Sequence, residues 1–199
     1  MKTIPAKRIF LGLDLTRELK NKLALYEWEL TKQDLPFRFE DEKKLHLTLL
    51  FLGNTNTEQL NLIKSLLKPI IGQFTTFILG ITKLEAFPGF NHPKILYLSL
   101  NGQLDKLFAL QEELRQVLKG KGFRPQNKDK FIPHITIGKF VNPPYPIHVK
   151  NMGQKLAGLK IKPPQESFLI KEVVLFESKL SQEGSTYKIL KKWQLINGA

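Results

Sequence analysis

The sequence predicts an α+β fold of two lobes, in which two antiparallel β-sheets flanked by helices enclose a central cleft. Short strand-like segments alternate with a few amphipathic helices and return in hairpin-like order, which is typical of antiparallel sheets. The pattern His-x-Thr, with apolar flanks, occurs at residues 46–49 and again at 134–137, in a chain with only four histidines. A duplicated unit would account for the two copies. We therefore expect residues 1–199 to form a single bilobal domain.

The first half of the chain reads as three strands and two helices. Residues 8–15 form a mostly apolar strand, and residues 16–30 an amphipathic helix with Thr16 as its N-cap. Strands follow at residues 37–39 and 45–52, the second closed by Gly53 and Asn54. After Asn56, apolar residues recur at i, i+3, i+4 and i+7, which predicts a helix with its apolar stripe on a sheet.

The second half repeats this order. Residues 74–84 and 94–100 are strand-like, and Asn101-Gly102 marks a turn before a helix at 104–118 that ends in Lys119 and Gly120. Residues 131–140 carry the second His-x-Thr. A proline-rich loop at 142–146 and a short helix-like stretch precede two late strands at 168–180 and 187–196.

The charge and the cysteine content limit which binding partners and which kinds of site the chain can have. The chain carries 31 Lys+Arg against 18 Asp+Glu, a net charge of +13, which favours a polyanion such as nucleic acid, although evenly spread lysines also serve solubility alone. The absence of cysteine excludes disulfides and thiolate catalysis and removes the usual structural zinc ligands. Four scattered histidines make a poor metal site, so we expect no metal or cofactor.

No stretch approaches the ~20 apolar residues that a membrane span needs. The basic start of the chain, which contains Pro5, lacks the apolar centre of a signal peptide. We expect a cytoplasmic protein without a membrane partner.

The two His-x-Thr copies carry the chemistry. Side chains two apart on a strand share a face, so each copy offers an imidazole beside a hydroxyl. One copy alone is more often a cross-strand hydrogen-bonding pair. Two copies facing each other place two imidazoles and two hydroxyls around one small anion, which predicts acid/base chemistry on a phosphate. His92 and His148 lack the pattern and are expected in exposed loops.

The motif blocks resemble a known family, the two-histidine (2H) phosphoesterases, and within it the RNA 2′,3′-cyclic phosphodiesterases or 2′-5′ RNA ligases. The similar segments are RIFLGL at 8–13, LHLTLLFLG at 45–53, FIPHITIG at 131–138, and FESKL at 176–180 with Gly184 and Tyr187. They are spread over most of the chain.

The resemblance implies an activity and roles. Ends of RNA that carry a 2′,3′-cyclic phosphate, such as those of tRNA fragments, would be hydrolysed to 2′-phosphomonoesters by a monomer without a metal ion. His46 would be the proton donor to the leaving 3′-oxygen and His134 the base for water, while Thr48 and Thr136 would bind the phosphate. Slow reverse 2′-5′ RNA ligation is part of this expectation.

Two further cations are candidates for binding substrate. Many family members have arginine shortly after the second motif, where this chain has Lys139, which supplies a point charge but no bidentate grip. Arg38 lies eight residues before His46, and an ion pair with Glu40 or Asp41 is an equal alternative for it.

Two other readings of the function stay open at this stage. One is a non-catalytic module that binds RNA ends, although lysine or arginine would serve binding as well as paired histidines do. The other is a phosphodiesterase that acts on a small cyclic nucleotide or on a 2′-5′-linked oligonucleotide.

Overall fold

The computed structural model describes residues 6–125, 131–141, 152–181 and 184–198. Its strands and helices, in chain order, are β1 (Lys7–Asp14), α1 (Arg17–Thr31), β2 (Phe37–Phe39), a 3-10 turn (Glu42–Lys44), β3 (His46–Thr55), α2 (Thr57–Ile71), β4 (Phe77–Phe87), β5 (Ile95–Gly102), α3 (Leu104–Gly120), β6 (His134–Phe140), α4 (Met152–Ala157), β7 (Ser167–Ile170), β8 (Glu172–Ser181) and β9 (Gly184–Gln194).

Side-chain caps mark the starts of α1 and α2, and the cap at Thr16 is the predicted one. The Thr16 hydroxyl accepts a hydrogen bond from the Leu19 N–H at 3.2 Å. Asn56 and Gln59 form a reciprocal capping box at the start of α2. Both caps satisfy N–H groups that a helix start leaves without partners, so the helices begin where the sequence indicates.

A segment that the sequence predicts as one strand forms two strands. Residues 168–180 divide into β7 and β8 at Lys171. Strand β7 pairs with β4, whereas β8 pairs with β1 and β9. The chain therefore crosses from one half of the structure to the other at this break, which the continuous apolar pattern does not reveal.

The strands form one antiparallel nine-stranded sheet in the order β7-β4-β5-β6-β3-β1-β8-β9, with β2 paired to β6. The two halves meet between β3 and β6, where the ladder consists of a single residue pair, Leu47 with Ile135. The prediction of an α+β fold with two antiparallel half-structures is confirmed. It differs in one respect, because the two expected sheets are joined through this pair.

In the described part of the chain, the helices cover one face of the sheet. The buried side chains of α1, α2 and α3 belong to the same core cluster as Leu47 and Ile135. On the opposite face, Phe10, Val174 and Phe176 form a small separate cluster with Tyr187 packed against it. In the described ranges, no helix has the length and apolar character needed to cross a membrane.

The carboxyl group of Glu27 is buried beside this core. Glu27 on α1 is 5% exposed, and within the described part of the chain its Oε1 has no hydrogen-bond partner. Burial, together with the nearby carboxylates of Glu40 and Asp41, raises the pKa of Glu27 to about 9. The carboxyl is therefore neutral at pH 7.

We expect Glu27→Gln to stabilise the protein. In the unfolded chain the carboxyl ionises near pH 4.5, whereas the folded state holds it neutral to about pH 9. A folded pKa raised in this way makes the wild type lose stability as the pH rises between these values. Urea unfolding at pH 7 should give the variant about 2–4 kcal/mol more stability, with little difference near pH 4.

Glu29→Gln, on the exposed side of the same helix, is the control and should change stability by a few tenths of a kcal/mol. Equal stability of Glu27→Gln and wild type at pH 7 would show that Glu27 is ionised in the folded protein.

Candidate active site

Both His-x-Thr motifs lie on the face of the sheet that the helices leave uncovered, hereafter the motif face. Leu47 and Ile135, the middle residues of the motifs, are fully buried in the core and form the pair that joins the two halves. Side chains alternate along a strand, so the histidine and threonine of each motif project from the opposite face. Because the strands are antiparallel, the two histidines lie diagonally across the pair, a spacing of about 7–8 Å between residue positions in a regular ladder.

A β-bulge follows the threonine in each motif. Against β1, the register skips from Thr48 to Leu50, which makes Leu49 the extra residue. Against β5, it skips from Thr136 to Gly138, which makes Ile137 the extra residue. The two halves thus share a backbone irregularity as well as a sequence pattern.

The bulges change which side chains reach the motif face. A bulge reverses the alternation of the residues after it. Lys139, which simple alternation from His134 would place in the core, pairs instead with Ile95 and Arg38. This brings Lys139 and Arg38 to the motif face beside Thr136.

His46 is held by its own strand. Its Nδ1 lies 2.5 Å from the carbonyl oxygen of Lys44, and its Nε2 lies 2.9 Å from the Thr48 hydroxyl. Since a carbonyl can only accept, Nδ1 carries the proton in the neutral ring. Nε2 then accepts a hydrogen bond from the Thr48 hydroxyl.

Aromatic rings enclose His46. Its ring centroid lies 4.9 Å from that of Phe10, 5.1 Å from that of Tyr187 and 5.7 Å from that of Phe176. Gly12 lets β1 lie close to the first motif, because a Cβ there would lie 2.8 Å from the Leu47 carbonyl oxygen, whereas its distance of 3.5 Å from the His46 ring would be an ordinary contact.

His134 has the equivalent arrangement in the other half. Its Nδ1 donates to the carbonyl oxygen of Ile132 at 2.7 Å, which leaves Nε2 for chemistry. Phe87 and Tyr97, stacked on each other at 4.1 Å, contact the imidazole edge-on at 5.1 and 5.3 Å. The backbone carbonyl two residues before each histidine therefore sets the same tautomer in both.

The two imidazoles differ in their charged surroundings. Burial lowers the pKa of both rings, and the carbonyl hydrogen bonds oppose this. Only for His46 do nearby carboxylates, those of Asp14 and Glu40, also favour the protonated form, with Lys20 acting against them. Asp14 is the direct cross-strand partner of His46 and pairs with Lys20 at 2.6 Å. Nearby carboxylates thus favour a positive charge on His46, while burial acts against a charge on either ring.

Cations line one side of the motif face near Tyr187. Burial raises the pKa of Tyr187, and the charges of Lys139 and Arg8 act against this rise. Lys139 pairs with Glu40 at 2.6 Å. In the described ranges no carboxylate lies within salt-bridge distance of Arg38, whose guanidinium lies beside Gly184 of β9. The alternative ion pair of Arg38 with Glu40 or Asp41 is therefore absent from the described ranges.

The other predicted features fall away from this site or outside the described ranges. His92 is an exposed loop residue, as expected. His148 and the proline-rich loop at 142–146 lie outside the described residues. Within the described residues, no group of three or more His, Cys, Asp or Glu side chains could hold a metal ion.

Sequence reasoning missed Asp14, Glu40, Tyr97 and Tyr187 as neighbours of the two histidines. Asp14 was detectable in principle, because it ends the strand paired with the first motif. Tyr97 and Tyr187 reach the site only through strand pairing over long sequence distances, for which no local pattern exists.

Comparisons with known proteins agree with this arrangement. An RNA 2′,3′-cyclic phosphodiesterase of Thermotoga maritima is 29% identical over 191 residues, 96% of this chain and 97% of its own. One of Methanocaldococcus jannaschii is 24% identical over 192 residues, 94% of this chain and 99% of its own. Among solved structures, E. coli LigT in its apo form superimposes with a TM-score of 0.77 at 21% identity, covering 97% of this chain and 99% of its own.

A protein of Thermus thermophilus, TT0787, gives the same TM-score and identity, over 96% of this chain and all of its own. These structural likenesses support the fold. The sequence profile of the 2′-5′ RNA ligase superfamily matches residues 18–181, most of the chain. The chain belongs to the 2′-5′ RNA ligase superfamily.

Proposed function

We propose that this protein hydrolyses 2′,3′-cyclic phosphate ends of RNA to 2′-phosphomonoesters, with His46 as acid and His134 as base. The observation that carries the proposal is the convergence of two His-Thr pairs on one uncovered face, each imidazole fixed in the same tautomer by a backbone carbonyl. The curated relatives are named for this activity, and E. coli LigT has been solved with 3′-AMP. RNA ends such as those of tRNA fragments fit the basic charge.

The cyclic phosphate is a strained diester whose opening needs two proton transfers. His134 Nε2 accepts a proton from water as the water oxygen attacks phosphorus, and His46 Nε2 donates a proton to the departing 3′-oxygen. The carboxylates of Asp14 and Glu40 favour the protonated state of His46, which supports this division of roles. Thr48 and Thr136 donate hydrogen bonds to the non-bridging oxygens as negative charge builds up on them.

The two histidines supply both transfers, so the scheme needs no metal ion. The same geometry run with a 5′-hydroxyl in place of water joins two RNA ends through a 2′-5′ linkage. Water is present at far higher concentration, so hydrolysis dominates.

Fixed imidazoles also separate this proposal from a module that only binds RNA ends. Binding would be served by the cations alone and would gain nothing from two oriented rings with depressed pKa values.

We expect His46→Ala and His134→Ala each to lower kcat for a cyclic-ended RNA by about 10²–10⁴. Thr48→Ala and Thr136→Ala should lower it less, because other donors can partly replace one hydroxyl. His92→Ala, at an exposed histidine that belongs to neither motif, is the matched control and should keep wild-type activity. Near-normal turnover by either motif variant, with folding verified by circular dichroism, would overturn the two-histidine scheme.

The pH dependence of kcat/KM should be bell-shaped and reports the two coupled rings together. Burial lowers the pKa of both rings, so the optimum should lie below the ordinary imidazole range.

Asp14→Asn removes a charge that stabilises protonated His46, so the alkaline limb of the pH profile should move to lower pH. Lys20→Gln removes an opposing charge and should move the same limb to higher pH. A shift confined to the acidic limb would contradict the acid role of His46.

Lys139 should contribute to RNA binding in competition with its carboxylate partner. With an oligonucleotide that ends in a 2′-phosphate, Lys139→Ala should weaken binding and reduce the slope of log K against log salt by about 0.7. Glu40→Gln frees Lys139 from its ion pair and should tighten binding.

Lys32→Ala removes the same charge from α1, where Lys32 pairs with Glu29 and covers Trp28, and should leave binding nearly unchanged. Equal weakening by Lys139→Ala and Lys32→Ala would mean that only the net charge of the protein matters.

A further inference from the structure

Strands β8 and β9 form a hairpin that carries lysines on its outer face, the face turned away from the motif face. Residues paired across antiparallel strands project from the same face, and successive residues alternate. Phe176 lies on the motif face, so Glu177 projects from the outer face together with Lys188, its cross-strand partner. Lys179, two residues further along β8, projects from the outer face as well.

A third lysine extends this set along β9. Lys191 pairs with Leu175, whose side chain points to the core on the helix side, and it follows the extra residue of a bulge, Leu190. Lys179, Lys188 and Lys191, hereafter the hairpin lysines, are all exposed. They therefore present three ammonium groups on one surface.

Carboxylates do not neutralise the hairpin lysines. In the described ranges, no carboxylate lies within salt-bridge distance of any of the three. Glu177, the carboxylate that β8 places on the outer face, is largely buried and pairs with Lys7 at 3.2 Å. On the motif side of the same hairpin, in contrast, Lys192 pairs with Glu172. The outer face thus carries uncompensated positive charge, to which a polyanion is complementary.

The same hairpin adjoins the active site. On its motif side, Tyr187 and Phe176 lie 5.1 and 5.7 Å from His46 between ring centroids. At the end where β9 begins, the Arg38 guanidinium lies beside Gly184. Positive charge therefore continues from Arg38, on the motif face, around the end of the hairpin to the hairpin lysines.

A single RNA chain fits both surfaces. In the described sheet β9 is an edge strand, so a chain whose cyclic end lies on the motif face can pass over the open edge of β9 to the outer face. Lysines bind phosphates as point charges on flexible stems, which allows them to follow a flexible backbone. An acidic protein would match the charge equally, but nothing would require its site to adjoin the catalytic face.

We propose that the hairpin lysines form a second RNA-binding surface, which holds phosphates of the nucleotides that precede the cyclic end. This inference rests on the proposed function and deepens it, because it makes RNA chains better substrates than cyclic mononucleotides. The contacts lie away from the reacting atoms, so they lower KM for a chain and leave kcat unchanged.

The test compares adenosine 2′,3′-cyclic phosphate with an adenosine decamer that ends in the same cyclic phosphate. Wild type should hydrolyse the decamer with a kcat/KM about tenfold or more above that of the mononucleotide. The triple variant Lys179→Gln, Lys188→Gln and Lys191→Gln should raise KM for the decamer by about tenfold or more and leave the kinetics of the mononucleotide unchanged. For a decamer with a 2′-phosphate end, the slope of log K against log salt should fall by about 2, because each lost phosphate contact removes about 0.7.

Two sets of variants separate charge at this surface from other effects. Arginine at the same three positions keeps the charge and should keep the preference for the decamer. The triple variant Lys32→Gln, Lys119→Gln and Lys121→Gln removes the same charge from exposed positions on α1 and at the end of α3, and should also keep it. Lysines on an edge strand also oppose pairing with other sheets. Lys188→Gln alone, which retains two of the three charges, should therefore show about a third of the change in log KM.

Equal kcat/KM of wild type for the two substrates would contradict this inference and leave the proposed function standing. The same conclusion holds if the glutamine variants of the hairpin lysines affect both substrates alike, or affect the decamer no more than the α1 and α3 control does. If wild type hydrolyses neither substrate, the proposed function fails together with this inference.

Discussion

The backbone pairing of Leu47 with Ile135 is the constraint on which the site depends. It is the only pair in the described ladder between β3 and β6, yet it joins the two halves of the sheet and sets both motifs beside each other. Its two side chains are fully buried, so a one-residue slip of either strand would turn the histidine of that strand into the core. Hydrophobic burial on one face therefore determines the position of the polar groups on the other.

The bulges that follow both threonines complete the arrangement. Other elements bind both bulge carbonyls: the Gln111 side chain donates to the carbonyl of Leu49 at 3.5 Å, and the Glu40 N–H donates to that of Ile137 at 2.9 Å. Glu40 thus fixes the backbone that brings Lys139 to the motif face and also pairs with the Lys139 ammonium group. The segment that contains Glu40, just before the first motif, thereby supports the second motif.

Much of this could be predicted from local patterns, because the relevant forces are local. Thr16 and Asn56 cap helices as their residue types indicate, and the alternation in the motif strands places His46 and His134 on one face. Two features could not be predicted in this way. The bulge at Ile137 leaves no mark in its sequence, so the side on which Lys139 lies depends on pairing with β5 and β2. The division of residues 168–180 depends on two distant partner strands.

The product of hydrolysis tests the central claim, that His46 and His134 act on opposite sides of one phosphorus atom. Phosphorus NMR of the reaction of wild type with a 2′,3′-cyclic-ended oligonucleotide, run in EDTA, distinguishes the two monoesters directly. The proposed geometry expels the 3′-oxygen and predicts a 2′-phosphate as the sole product, formed at an undiminished rate. A 3′-phosphate, or loss of turnover in EDTA that a divalent ion restores, would contradict it.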